Sequence, residues 1–141
     1  MQKTVVTYRG CVEGLQEVLY FNHLQNLINN CDKFNKRVNF NFKNANGGSA
    51  SKIVHKAKLY SSTDNMKIAV FDHDFKEEDF IKAISDCEKY KIFPAYSNIS
   101  FNLFLILHKK KYNKKIINNV YEQPYLNINK FLELVFKELN E

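Results

Sequence analysis

The stretch Lys67-Ile68-Ala69-Val70-Phe71-Asp72-His73-Asp74 is a short apolar run that ends abruptly in acid. Ile68 to Phe71 shows no alternation of apolar and polar residues, so it predicts a strand buried on both faces. Strands of that kind lie at the centre of parallel sheets whose two faces are covered by helices. The carboxylates that follow stand where open α/β sheets gather their chemistry, outside the carboxyl ends of the strands.

The rest of the chain alternates around that run. Lys3 to Tyr8 is β-branched and aromatic and predicts a strand. From Glu13 to about Asn30, Leu15, Val18, Leu19, Phe21, Leu24, Leu27 and Ile28 recur at helical spacing. Val38-Asn39-Phe40-Asn41-Phe42 has period two, the mark of a half-buried strand. Asn44 to Ser49 is a glycine-containing loop, and Ser49 or Ser51 can cap a helix through Ile53, Val54, Ala57 and Leu59. Lys76 to Tyr90 predicts a helix with Phe80, Ile81, Ala83, Ile84 and Cys87 inward and three acids in its first turn, where the helix dipole favours them. Ile92 to Tyr96 is a fourth strand, Ser100 to His108 an apolar helix, and Asn127 to Leu139 a final amphipathic helix. The expected fold class is α/β: a mostly parallel four-stranded sheet with helices on both faces, plus a C-terminal helix.

At 141 residues the chain fits one domain, with a core over 1–108, a basic loop at 109–115 and a C-terminal extension over 116–141. Hydrophobic residues make up 45%, so a packed core is expected and disorder is excluded for most of the length. No apolar stretch is long enough to cross a membrane, and Met-Gln-Lys-Thr lacks the apolar region of a signal peptide. Cys11, Cys31 and Cys87 are scattered and odd in number, which suits buried thiols in a reducing cytoplasm. The net charge is +6, but lysine supplies 19 of the 21 cations, and lysine with asparagine enrichment also reflects an AT-rich genome. The distribution is more telling. Residues 71–108 carry seven acids against four bases, while residues 109–115 carry five lysines and no acid. Basic flanks around an acidic centre suit a metal site that faces a polyanion.

Glu13 follows the first strand, and Asp72 and Asp74 follow the third. Strands one and three are neighbours in the usual doubly wound orders, so three carboxylates converge on one sheet edge. Crowded carboxylates repel unless a divalent cation sits among them. A turn or helix cap is the plainer use of Asp72 and Asp74 taken alone. With Glu13 added, a Mg²⁺ (or Mn²⁺) site is the stronger reading. Glu17, one turn beyond Glu13, is a further ligand candidate. Ser97, Asn98 and His108 are candidate substrate contacts, although capping suits the first two and the helix dipole suits the histidine. His73 should be turned away from its neighbours by strand alternation. His23 and His55 read as helix-surface residues. Lys109, Lys110 and Lys111 form a candidate nucleic-acid contact. Asn46-Gly47-Gly48-Ser49 precedes a helix but lacks the Gly-Lys-Ser/Thr ending of a P-loop.

Glu13-Gly14-x-x-Glu17-x-x-Tyr20-Phe21 resembles the opening pattern of the RloB-like family. Phe71-Asp72-His73-Asp74-Phe75, and the stretch from Ala95-Tyr96-Ser97-Asn98 through Ser100-Phe101 to Leu107-His108, resemble that family's later blocks. The resemblance implies a Toprim-like fold and Mg²⁺-dependent phosphodiester chemistry. Glu13 would be the general acid/base or a metal ligand, with Asp72 and Asp74 as metal ligands. It also implies a nuclease of a bacterial defence module, abortive-infection or restriction-linked, that is commonly paired with an ATPase. Asn102 stands where the family pattern has Glu, Phe104 where it has tryptophan, and Gln16 where it has Thr. Those departures keep a second expectation open, a non-catalytic Toprim module that partners an ATPase or forms a homodimer.

Overall fold

A computed structural model of the chain describes residues 3–60, 66–73, 76–97 and 126–141. The elements run β1 (Val5–Val12), α1 (Leu15–Asn29), β2 (Arg37–Asn44), α2 (Ala50–Tyr60), β3 (Lys67–Asp72), α3 (Glu77–Tyr90), β4 (Ile92–Ser97) and α4 (Leu126–Asn140). The four strands form one sheet in the order β2-β1-β3-β4, and every pairing is parallel. The expected α/β class, sheet and C-terminal helix are all present. Strands one and three are neighbours, as the doubly wound orders require. The helix expected over Ser100–His108 and the basic loop at 109–115 lie outside the described residues.

β3 is central because both its faces are buried: Ile68 and Val70 face one layer, Ala69 and Phe71 the other. On the first face, α1 and α4 cover Tyr8, Val12, Val38, Phe40 and Ala95. On the second, α2 and α3 cover Cys11, Ala69, Phe71 and Ile92 through Ile53, Val54, Ala57, Ala83 and Cys87. Phe131 of α4 is the hub of the first layer. Its ring centroid lies 5.5 Å from Tyr8, 5.9 Å from Phe93 and 6.0 Å from Phe21. The apolar stripe of the last helix is thus spent on the chain's own core.

Gly10 sets how closely β1 and β3 approach. It pairs with Ile68, and a Cβ at this position would lie 1.8 Å from the Ile68 carbonyl oxygen. β2 is an edge strand, and α1 covers its open edge. The Val38 N–H donates to Asn29 Oδ1 at 2.8 Å, the Phe40 N–H donates to Gln25 Oε1 at 2.7 Å, and Asn29 Nδ2 donates to the Val38 carbonyl at 2.9 Å. Side-chain amides here satisfy backbone groups that would otherwise template a further strand.

The structure corrects several boundaries and faces. β1 runs on to Val12, past the Tyr8 expected from composition, because Arg9 to Val12 pair with both β2 and β3. α1 begins at Leu15, not Glu13, since Gly14 is extended and the Glu17 carboxylate accepts its N–H at 3.1 Å. The inward side of α1 is Glu17, Phe21 and Ile28, with Leu24 partly buried; Leu15, Leu19 and Leu27 are exposed. Ile81, expected inward on α3, faces solvent, as does Leu59 of α2. Cys11 and Cys87 are buried as expected, whereas Cys31 is only partly so; all three are free thiols. Helical spacing identifies an apolar arc, but a broad arc leaves its bearing toward the sheet to tertiary packing.

Candidate metal centre

The parallel sheet brings the starts of α1, α2 and α3 to the edge where β1 and β3 end. Glu13 leaves β1, Asp72 closes β3, and Glu17 reaches back from the first turn of α1. Among the described residues, one carboxylate oxygen from each of Glu13, Glu17 and Asp72 lies within 4.8 Å of the others. Glu17 is only 5% exposed. A narrow cleft opens beside them, lined by Glu13, Asp72, His73, Lys76, Asp79 and the chain from Gly48 to Ala50. Three helix N-termini thus stand at this edge, where the positive ends of their dipoles favour a concentration of negative charge.

Burial and mutual repulsion act strongly on these groups. Burial above all, then the Glu13 charge and a hydrogen bond shared with the Glu13 carboxyl, push Asp72 up to about 8. The Ser97 hydroxyl opposes this by donating to Asp72 Oδ1 at 3.1 Å. Burial also raises Glu17, helped by the charge of Glu13 and countered by backbone N–H donors that include Gly14. Glu13 Oε2 is buried with no hydrogen-bond partner. A buried acceptor left in that state is costly. Three carboxylates, one of them with an orphaned oxygen, suit a hard divalent cation that takes oxygen ligands and keeps some of its waters. The donor set fits Mg²⁺ or Mn²⁺ and offers nothing to a metal that prefers sulfur or imidazole.

The expected site residues divide into three groups. Glu13, Glu17 and Asp72 come together. Ser97 is buried at 2% exposure, pairs with Asp72 across β3 and β4, and holds that carboxylate by its hydroxyl. Asp74, Asn98, His108, Lys109, Lys110 and Lys111 lie outside the described residues. His73 turns toward α3, as alternation requires. Its ring meets Phe80 edge-on at 4.4 Å, and Nε2 lies 2.5 Å from Glu77 Oε2. His23 and His55 are exposed on their helices.

Sequence reasoning missed Lys76 and Asp79 as parts of the cleft. Asp79 caps α2 from another helix, taking the Ser51 hydroxyl at 2.5 Å and the Ser51 N–H at 3.2 Å. Burial alone would raise its carboxyl, but these bonds, with those from Ser49 and the Ala50 N–H, hold it below the ordinary range. The one signal available was its place in the acidic first turn of α3, which reads equally well as a dipole partner for that helix. The Gly47 N–H donates to the Glu13 carbonyl at 2.7 Å, so the glycine loop is strapped to the strand end that carries Glu13.

Fold and site together define a parallel α/β protein with a carboxylate cluster, open to a divalent cation, at the ends of neighbouring central strands. The model of one family, described as RloB-like protein, matches residues 11–138. The chain belongs to the RloB-like family. No curated protein and no solved structure matches it at a significant level.

Proposed function

We propose that this RloB-like chain is a Toprim-type, Mg²⁺-dependent nuclease serving a bacterial defence module. The observation that carries the reading is the convergence of Glu13, Glu17 and Asp72 within 4.8 Å, with Glu13 Oε2 buried and unpartnered. Bound there, Mg²⁺ or Mn²⁺ would supply Lewis-acid stabilisation to a phosphodiester oxygen. Asp72 and Glu17 would hold the cation, with Asp74 of the same Asp-x-Asp motif as a further ligand candidate. Glu13 either ligates or moves the proton of the attacking or leaving oxygen. Ser97 orients Asp72, and Lys76 faces the cleft as a cation for a phosphate oxygen. Lys109, Lys110 and Lys111 are candidate contacts to the polyanion, and Asn98 and His108 candidate contacts to the substrate. An ATPase is the expected partner protein and the cytoplasm the expected compartment.

The test is a cleavage assay on labelled single- and double-stranded DNA and RNA, in EDTA, Mg²⁺ and Mn²⁺. Cleavage should require the metal and fall by about 100-fold or more in Glu13→Gln and in Asp72→Asn. Cleavage unchanged in both variants would sink the reading.

A second reading, a non-catalytic module that docks on an ATPase, is favoured by α1. Leu15, Leu19 and Leu27 are 61%, 58% and 57% exposed on that helix, an apolar surface suited to a protein partner. A protein that takes up no Mn²⁺ yet co-elutes with an ATPase, and loses it in Leu15→Asp/Leu19→Asp, would establish this reading instead.

A further inference from the structure

A second concavity lies on the other side of the glycine loop. It is a groove of about 370 Å³ between the end of β2 and α2, lined by Lys43, Asn44, Asn46, Lys56, Leu59 and Tyr60. Its lining carries two cations and no carboxylate. α2 as a whole (Ala-Ser-Lys-Ile-Val-His-Lys-Ala-Lys-Leu-Tyr) has three lysines and no acid. Lys52 and Lys56 are one turn apart on α2, and the Lys52 stem passes Gly48, whose Cβ would lie 3.6 Å from it. Gly48 itself lines the acidic cleft. Lys52 and Lys56 therefore run along α2 from the glycine loop to the groove.

The groove's side chains are held in place. Lys56 Nζ donates to the Ala45 carbonyl at 2.9 Å, Tyr60 Oη donates to Asn41 Oδ1 at 2.6 Å, and Lys43 Nζ sits 5.8 Å from the Tyr60 ring centroid. Each ammonium keeps further N–H groups for an anion. Leu59, 69% exposed, extends the tyrosine into an amphipathic wall. Parallel pairing sets Lys43 beside Cys11 and Asn44 beside Val12, one strand spacing of about 4.8 Å from the strand that delivers Glu13. The loop from Asn44 to Ser49 is the shared wall of the two concavities.

We propose that this groove binds the nucleotides next to the cut in a single-stranded nucleic acid, with Lys43, Lys56 and Lys52 on its phosphates and Tyr60 stacked on an unpaired base. Cations that track a backbone beside an aromatic platform are the means by which single strands are held without sequence preference. A base inside a duplex offers no free face to Tyr60, so single strands are preferred over duplex. The proposal rests on the nuclease reading for what lies at the far end of the strand.

The test is fluorescence anisotropy of labelled single-stranded and duplex oligonucleotides in EDTA, where no cleavage intervenes, at several salt concentrations. Lys43→Gln/Lys56→Gln should weaken single-strand binding and reduce the slope of log K against log salt by about 1.4, two contacts at about 0.7 each. Tyr60→Leu should weaken it about five-fold or more with the slope kept, and Tyr60→Phe should bind like the unaltered chain. Thermal melts of the same variants check that each is folded. Equal affinity and slope in the double lysine variant would overturn the groove, as would an unaltered chain that binds no oligonucleotide. If those results accompanied metal-dependent cleavage, the nuclease reading would survive without the groove. If the unaltered chain bound with the expected dependence on Lys43, Lys56 and Tyr60 but cut nothing, the groove would stand and the nuclease reading would fall.

Discussion

Asp72 shows how one side chain can link the site to the stability of the fold. Its carboxyl would ordinarily lose its proton near 3.8, but burial and the neighbouring Glu13 hold it to about 8. The folded chain therefore binds a proton that the unfolded chain has released, and the metal-free fold should lose stability as pH rises from about 4 through 8. Melting curves in EDTA should place Tm higher at pH 5 than at pH 8. Asp72→Asn should flatten that slope and raise Tm at pH 8, because it removes a charge that the cleft disfavours. Mn²⁺ titrated by calorimetry should bind more weakly as pH falls from 8 to 5, since ligands must shed their protons, and should not bind Asp72→Asn. A metal-free Tm that climbs with pH over this range would contradict the assignment. The carboxylate cluster itself was partly legible. Glu13 and Asp72 stand at strand ends in the sequence, and helical spacing ties Glu17 to Glu13. The role of Ser97 was hidden, because only the β3–β4 register sets it opposite Asp72.

Elements depend on one another here more than helix and strand propensities suggest. α2 has no acid in its first turn and takes its cap from Asp79 of α3. Asp79→Ala should cost about 1 kcal/mol or more, read as a shift in the urea midpoint. The contribution should fade at low pH, because a carboxyl held below its ordinary range lends stability only while ionised. Gly10 is the tighter constraint. A methyl group 1.8 Å from the Ile68 carbonyl oxygen must force β1 and β3 apart, and these two strands carry Glu13 and Asp72. Gly10→Ala should cost on the order of 3 kcal/mol, and Mn²⁺ uptake should fall even where the variant stays folded. Unchanged stability in that variant would show that the strand pair yields without loss. The sequence marks Gly10 only as a glycine inside a strand, a sign of close approach with no indication of what approaches.

For the whole molecule, α4 ties the end of the chain to its beginning. Tyr8 Oη donates to Glu138 Oε2 at 2.6 Å, and the Asn35 and Lys36 N–H groups donate to the Leu139 carbonyl at 3.0 and 3.1 Å. Phe131 joins aromatics from β1, α1, β2 and β4. Phe131→Ala should therefore cost about 3–5 kcal/mol and lower Tm with little change in metal affinity per folded molecule, because the cleft lies at the strand ends and not in this layer. A small loss, below about 1 kcal/mol, would mean that α4 is an appendage and that the sheet keeps its first face covered without it.

Local patterning along the chain sets the alternation of strands and helices, the central position of the run from Ile68 to Phe71, the parallel character of the sheet and the strand ends as the place for acid. Each of these follows from local periodicity and from the need of a two-faced apolar strand to be covered on both sides. Tertiary structure alone decided which side of each helix turns inward, leaving Leu15, Leu19, Leu59 and Ile81 outside and Glu17 inside. It also decided that Asn29 and Gln25 close the open edge of β2, that Asp79 caps α2, and that a basic groove lies behind the glycine loop. The reason is one of range. Periodicity acts over a few residues, whereas these pairings join residues 9 to 28 positions apart, brought together only when the parallel crossovers close.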